Sequence, residues 1–154
     1  MKRFMKLVAI VASSWASCAA LAQDSPANYT QAEYAEFVRS VDFPAHTIDP
    51  AQFLKLRDQE NTIVLDLRSL EDFNRRHIVG ALHLGPNILE SRLKDLASPT
   101  DTILLYCTNS LELTRRISLT NVSLPQLLAL GYENTFILED TVIGAKTAGI
   151  PMTQ

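Results

Sequence analysis

One cysteine, Cys107, follows a short apolar run and precedes three small polar residues. The run Thr102–Tyr106 has the length and composition of a buried strand, and the turn-forming residues Thr108–Ser110 end it. A cysteine at the carboxyl end of such a strand lies where open α/β sheets bind their ligands. If the chain then curls into a helix, backbone N–H groups surround the sulfur and stabilise a thiolate. The sequence therefore predicts a reactive thiol at the mouth of a cleft, faced by the N–H groups of Thr108–Leu111.

The alternative for this cysteine is an inert thiol in a packed core, where the residue type is often found. Metal binding is not indicated, because the three histidines and Cys107 at these spacings form no recognisable metal site. The sequence predicts no cofactor.

The first 22 residues have the layout of a secretory signal peptide. Three basic residues precede an apolar stretch, and small residues end at Ala22, which fits an A-x-A cleavage site. The uncharged stretch is short and contains serines, which disfavours a permanent membrane anchor. A lipoprotein acylated at Cys18 is a second interpretation, although Trp15 stands where such a signal needs an aliphatic residue. The sequence thus predicts a periplasmic or secreted protein with no stable membrane insertion after cleavage.

Removal of the signal leaves 132 of the 154 residues, the size of one ordinary domain. The signal contains three of the 14 basic residues and none of the 17 acidic ones, so the remaining chain has a net charge of −6. That charge gives no reason to expect nucleic acid or an anionic lipid surface as a partner. Cys18 leaves with the signal, so Cys107 is the only remaining cysteine and no intrachain disulfide can form.

Strands and helices alternate along the rest of the chain, which predicts an α/β domain. Residues 23–44 are expected to form a leader and a short helix, with Thr30 and Glu33 as its capping box. The predicted strands are Thr47–Ile48, Thr62–Leu67, a short strand within His77–Leu84, Thr102–Tyr106 and Thr135–Leu138. The predicted helices start at Asp49-Pro50, Ser69, Asn87 and Ser123–Gln126, with a last one over Asp140–Lys146. Because Ile63–Leu67 and Ile103–Tyr106 are almost continuously apolar, the sheet is expected to be central and mostly parallel, with helices on both faces.

The order of these pieces resembles the rhodanese-like domain family over residues 45–152. Asp66-Leu67-Arg68 and the acidic, aromatic helix after it are similar to the first part of the family's signature. His77-Ile78-Val79-Gly80-Ala81 is similar to its second part. Cys107 stands where the family has its catalytic cysteine. Weaker similarities follow in the right order at Gly131–Asn134, Leu138–Asp140 and Ala148–Pro151.

Four residues of this signature have predicted structural roles. Asp66 and Arg68 end a buried strand, where each needs a partner, so an ion pair between them is expected. His77 is expected to fix a turn rather than to transfer protons. Gly80 is expected to supply a backbone angle that other residues resist.

The resemblance implies sulfur transfer, in which a cysteine thiolate takes a sulfur atom from a donor and passes it to a nucleophile. The family's loop reads Cys-x-x-Gly-x-Arg, whereas here Cys107 is followed by Thr108, Asn109, Ser110, Leu111 and Glu112. Ser110 therefore replaces the glycine and Glu112 the arginine, and a carboxylate near the sulfur repels an anionic donor. Arg115 and Arg116 either bring a cation to the sulfur or lie solvated on a helix face.

Three hypotheses about function follow from the sequence. The first is an exported rhodanese-like domain with a reactive Cys107, acting by sulfur transfer, persulfide carriage or thiol exchange and weak on thiosulfate. Its partners would be a small sulfur donor or a thiol of another protein. The second is a catalytically inactive binding or regulatory module. The third is a free thiol that pairs with a cysteine of another protein.

Signal cleavage is directly testable. We expect the N-terminal sequence of the exported protein to begin at Gln23, because the basic, apolar and small-residue segments end at Ala22. Recovery of a lipid-modified chain that begins at Cys18 would contradict a soluble exported product.

Overall fold

The computed structural model describes residues 29–88, 90–111, 118–139 and 149–153. The strands are β1 (Thr47–Ile48), β2 (Thr62–Asp66), β3 (Leu82–His83), β4 (Thr102–Tyr106) and β5 (Thr135–Leu138). The helices are α1 (Gln31–Ser40), α2 (Pro50–Arg57), α3 (Leu70–Arg75), α4 (Glu90–Leu96), α5 (Thr108–Leu111) and α6 (Leu119–Ala129), with a 3₁₀ turn over Pro44–His46. The signal segment and the predicted helix Asp140–Lys146 lie outside the described residues.

The strands form one five-stranded sheet in the order β1-β5-β4-β2-β3. Each neighbouring pair is parallel. β4 is the middle strand, and its pairing with β2 extends over five residues from Thr62↔Thr102 to Asp66↔Tyr106. The α/β class and the parallel sheet predicted from the apolar runs are confirmed.

Side chains alternate along the strands and build two cores on opposite faces of the sheet. The α6 face packs Leu65, Ile103 and Leu105 against Leu93 of α4 and Leu124 of α6. The α2 face is built in the same way from Ile48, Phe53, Val64, Ile78, Leu104, Tyr106 and Leu138. Both faces of the central strands are therefore buried, as their continuous apolar sequences predict.

Three helices begin at the caps that the sequence predicts. Thr30 Oγ1 accepts from the Glu33 N–H at 3.3 Å, and the Glu33 carboxylate accepts from the Thr30 N–H at 2.8 Å. The Asp49 carboxylate accepts from Gln52 N–H at 2.7 Å at the start of α2. Ser69 Oγ accepts from the backbone N–H of the third residue of α3 at 3.1 Å.

Two helix starts differ from the prediction. α6 begins at Leu119, so Pro125 lies inside it rather than in its first turn. The proline removes one helix hydrogen bond, but burial of Leu124 and Leu127 on the α6 face holds the helix together across it. α4 begins at Glu90 rather than at Asn87. The intervening Ile88 packs against the core of the α6 face before the helix starts.

A buried ion pair lies at the carboxyl end of β2. The guanidinium of Arg68 donates to the Asp66 carboxylate, with Nη2 at 2.6 Å from Oδ2 and Nε at 3.0 Å from both oxygens. Arg68 is 8% exposed, and Asp66 is fully buried. Burial opposes the charged form of Arg68, but the hydrogen bonds and charge of Asp66 outweigh it and raise the pKa of Arg68. The predicted ion pair is present.

Tyr106 joins this pair to the neighbouring strand. Its hydroxyl donates to Asp66 Oδ2 and accepts from the Ile78 N–H at 3.1 Å. Its ring centroid lies 5.4 Å from the guanidinium carbon of Arg68. Nη2 of Arg68 also donates to the Arg76 carbonyl at 2.6 Å, so one carboxylate ties β2, β4 and the turn after α3 together.

The turn after α3 is fixed on both sides. The His77 ring stacks on Phe73 with centroids 4.0 Å apart, and its Nδ1 lies 2.8 Å from the Phe73 carbonyl oxygen. Gly80 has a φ of +85°, a conformation that residues with a Cβ rarely adopt. Residues 149–153 close the turn, since Val79 N–H donates to the Pro151 carbonyl at 2.8 Å. The geometry places His77 and Gly80 in structural positions.

No helix within the described ranges is long and apolar enough to cross a membrane.

Replacing Arg68 with alanine leaves the Asp66 carboxylate buried without its cation. We expect the free energy of unfolding in urea to fall by about 3–5 kcal/mol. Arg75→Ala is the matched control, because Arg75 pairs with Glu71 at a side chain that is 68% exposed, and it should cost at most about 1 kcal/mol. Equal losses of unfolding free energy in the two variants would show that the buried pair stabilises the fold no more than the exposed pair.

The environment of Tyr106 determines how the free energy of unfolding depends on pH in the alkaline range. Burial, together with the nearby Asp66 carboxylate, raises the pKa of Tyr106 well above its ordinary value of 10.0. Above about pH 10 the unfolded chain releases this proton while the folded chain keeps it, so the free energy of unfolding falls as pH rises. Tyr106→Phe should cost about 1–3 kcal/mol at neutral pH. Its deficit relative to wild type should shrink between about pH 9 and about pH 11, since only wild type has this proton to lose. A constant deficit across that interval would contradict the assignment.

Candidate active site

Cys107 lies at the carboxyl end of β4, immediately after the middle strand of the sheet. Its side chain belongs to the core of the α6 face, whereas the neighbouring Tyr106 belongs to the α2 face. The sulfur and the Asp66 ion pair are therefore on opposite sides of the sheet. The position at the carboxyl edge is the one predicted for a ligand-binding cysteine.

Burial of the thiol differs from the sequence prediction. Cys107 is 2% exposed rather than open at the mouth of a cleft. The reason is packing, because the side chain is covered within the same cluster that contains Leu105 and Leu124. The apolar cover is not complete, since polar side chains also approach this cysteine.

The residues after Cys107 form the single helical turn α5. Ser110 Oγ accepts from the Cys107 N–H at 3.4 Å and donates to the Leu138 carbonyl at 3.0 Å, which links the ends of β4 and β5. Asn61 is the one residue other than glycine with a positive φ in the described ranges, so Ser110 needs no glycine-like backbone. Serine in the family's glycine position is thereby explained. Whether the N–H groups of Thr108–Leu111 face the sulfur stays a prediction.

The hydroxyl of Ser118 contacts the sulfur from the next helix. Ser118 Oγ lies 3.3 Å from Cys107 Sγ and 2.6 Å from Thr120 Oγ1. Ser118 occupies the N-cap position of α6, yet its side chain makes no capping hydrogen bond to that helix. Both hydroxyl-bearing residues are buried. A chain of two buried hydroxyl groups therefore ends at the sulfur.

Sequence reasoning missed Ser118 and Thr120 because it placed the start of the last long helix at Ser123. A second N-cap signal was present, since a serine also precedes Leu119. Three predicted site residues lie outside the described residues, namely Glu112, Arg115 and Arg116.

The described residues contain no cluster of side chains that could bind a metal ion. Within the described ranges, no group of three or more His, Cys, Asp or Glu side chains could hold an ion. The described polar groups of the site are instead one thiol, the Ser110 hydroxyl on the Cys107 N–H and the hydroxyls of Ser118 and Thr120.

A model of the rhodanese-like domain matches residues 49–141. The chain belongs to the rhodanese-like domain family. The match includes the Asp66–Arg68 pair, the turn with His77 and Gly80, and Cys107, so the family resemblance of the sequence is confirmed. No relative is found among curated proteins.

Solved structures of similar fold agree with this assignment. The rhodanese-like domain of the Alr3790 protein from Anabaena sp is 22% identical, with a TM-score of 0.55 over 70% of this chain and 78% of that one. A protein from Lactobacillus plantarum is also 22% identical, with a TM-score of 0.54 over 81% of this chain and 100% of the other. EanB, solved in complex with hercynine, is 21% identical, with a TM-score of 0.53 over 70% of this chain and 27% of its own. At these identities the likeness concerns the fold.

Proposed function

We propose that this rhodanese-like domain carries sulfur as a persulfide on Cys107 and exchanges it with thiol-bearing partners. The observation that supports this best is the contact of Ser118 Oγ with Cys107 Sγ at 3.3 Å. An inert core cysteine needs no such partner, whereas a sulfur anion gains from a hydroxyl donor that bulk water cannot reach.

In the transfer of sulfur, one S–S bond forms and one S–S bond breaks. The thiolate of Cys107 attacks the outer sulfur of a donor R–S–SH, and a new S–S bond forms. The bond within the donor breaks, and R–S⁻ leaves with its electron pair. The proton remains on the transferred sulfur, so Cys107 ends as Cys–S–SH. Discharge to an acceptor thiolate is the same step in reverse, with Cys107 as the leaving group.

The loop sequence favours some donors over others. The arginine that would attract an anionic donor is replaced by Glu112, and the mature chain is acidic with a net charge of −6. Both features disfavour thiosulfate, a dianion, relative to a protein persulfide, which has less charge at the transferred sulfur. Arg115 and Arg116 are the cations near enough in sequence to offset this.

Export places this activity outside the cytoplasm. The signal-like segment 1–22 supports a periplasmic or secreted location, with cleavage after Ala22. There the acceptor would be a thiol of another exported protein. Because Cys107 is the single cysteine of the mature chain, it cannot resolve its persulfide through an internal disulfide.

A second candidate function is a binding or regulatory module without catalysis. The 2% exposure of Cys107 favours it, since a donor must reach the sulfur. Glu112 in place of the arginine favours it as well.

Intact-mass measurement of the mature protein separates the two candidates. We expect wild type to gain one sulfur atom after incubation with polysulfide, whose S–S bonds a thiolate attacks directly, and little with thiosulfate, because Glu112 replaces the cation that would hold this dianion. Peptide mapping should place the added sulfur on Cys107. Glu112→Arg should raise loading from thiosulfate about tenfold or more, since it exchanges a repulsive charge for an attractive one.

Two matched variants control this experiment. Glu112→Gln removes the repulsion without adding a cation, so its loading should fall between wild type and Glu112→Arg. Cys107→Ser should gain no sulfur. If folded wild type takes up no sulfur from either donor, the carrier function is wrong and the binding module takes its place.

A further inference from the structure

We infer that Ser118 is the hydroxyl donor to the reacting sulfur of Cys107 and that Thr120 is a positioning residue that aims it. The inference rests on the proposed function in one respect, namely that Cys107 is the sulfur that reacts. It names two residues, eleven and thirteen positions beyond the cysteine, that lie outside the loop Thr108–Glu112.

The first argument is the orientation of Ser118. A serine at the N-cap of a helix ordinarily accepts a hydrogen bond from an N–H of the first turn. Here the N-cap side chain makes no such bond, although the residue has ordinary N-cap dihedrals of −74° and 141°. Its hydroxyl lies against Cys107 Sγ and Thr120 Oγ1 instead. The Ser118 hydroxyl therefore contacts the sulfur instead of capping its own helix.

The second argument is the count of protons. Each hydroxyl has one proton to donate, and a thiolate has none. With Cys107 ionised, the contacts at 3.3 Å and 2.6 Å are both hydrogen bonds in one arrangement. Thr120 donates to Ser118 Oγ, and Ser118 donates to Sγ. The threonine therefore fixes the direction in which the serine proton points.

Burial makes this chain effective. Ser118 is 1% exposed and Thr120 is fully buried, so bulk water does not compete for these hydroxyls. A hydrogen bond to a charged group in such surroundings is stronger than one at the surface, and a second hydrogen bond in line polarises it further. The pair should therefore stabilise negative charge on Sγ.

The step that depends most on this donor is discharge of the persulfide. An acceptor thiolate attacks the outer sulfur, the S–S bond breaks, and its electron pair returns to Cys107 Sγ. Charge thus develops on the atom that Ser118 contacts. Losing the donor should slow discharge by about tenfold or more, the usual effect of removing one hydrogen bond to a charged group.

The experiment follows discharge directly. Mature protein is loaded with polysulfide, freed of donor, and mixed with a small thiol at neutral pH, and loss of the added sulfur is followed by intact mass. Ser118→Ala and Thr120→Val should both discharge more slowly, with the larger effect at Ser118. Ser118→Thr and Thr120→Ser, which keep the hydroxyls, should retain rates close to wild type. Ser123→Ala is the control, because Ser123 is also buried on α6 but lies more than a turn beyond Ser118.

A second readout does not require sulfur loading. The ultraviolet absorbance of the thiolate, measured at neutral pH as the difference from Cys107→Ala, should be lower in Ser118→Ala and Thr120→Val than in wild type. A purely structural role would lower the unfolding temperature without this change. If wild type takes up no sulfur, the carrier function fails while the absorbance still tests the hydroxyl pair.

The outcome that overturns the inference is agreement between Ser118→Ala and Ser123→Ala in thiolate absorbance, and in discharge rate wherever the protein loads. If Ser118→Ala does not fold, Thr120→Val decides the matter, because it leaves Ser118 and its contact in place. If Thr120→Val then has the absorbance and discharge rate of wild type, Thr120 does not position Ser118 and the proposed hydroxyl chain is wrong.

Discussion

The carboxylate of Asp66 holds the carboxyl edge of the sheet in place. The carboxylate accepts hydrogen bonds from Arg68 and Tyr106. The backbone carbonyl of Asp66 accepts hydrogen bonds from the Leu84 and Gly85 N–H groups at 3.0 Å each. A charge this deeply buried is tolerated because its oxygens are hydrogen-bonded and a guanidinium neutralises it. The position of Cys107 depends on this arrangement, since it follows Tyr106 directly in the chain.

Because side chains alternate along the chain at the end of β4, the buried ion pair and the thiol lie on opposite faces of the sheet. Tyr106 turns to the α2 face and joins the ion pair, while Cys107 turns to the α6 face and meets the hydroxyl of Ser118. The Asp66–Arg68 ion pair is thereby kept across the sheet from the sulfur. Around the thiol the described polar side chains are the neutral hydroxyls of Ser110, Ser118 and Thr120, which bring no charge of their own.

Local signals explain which features could be predicted from the sequence. The cap residues Thr30, Asp49 and Ser69 act on N–H groups three positions away, and the apolar runs of β2 and β4 identify strands buried on both faces. Asp66 and Arg68 are two residues apart, so their pairing is nearly a local event as well.

Non-local contacts explain the rest. Pro125 is a helix-start signal in isolation, and only packing of Leu124 and Leu127 against the sheet reverses that interpretation. The approach of Ser118 to Cys107 depends on where α6 is placed, which no spacing in the chain specifies. The depth of the thiol was misjudged for the same reason, because exposure is a property of the assembled core.

The edge strand β1 has a consequence for the kinetics of folding. It contains two residues, pairs with β5, and is preceded by His46, whose ring nitrogen contacts the Thr135 carbonyl oxygen 89 residues later in the chain. Such a pairing closes a very long loop for few contacts, so its entropy cost is compensated only after β2, β4 and β5 have assembled. We therefore expect folding to proceed outward from the middle of the sheet, with the pairing between β1 and β5 formed last and lost first.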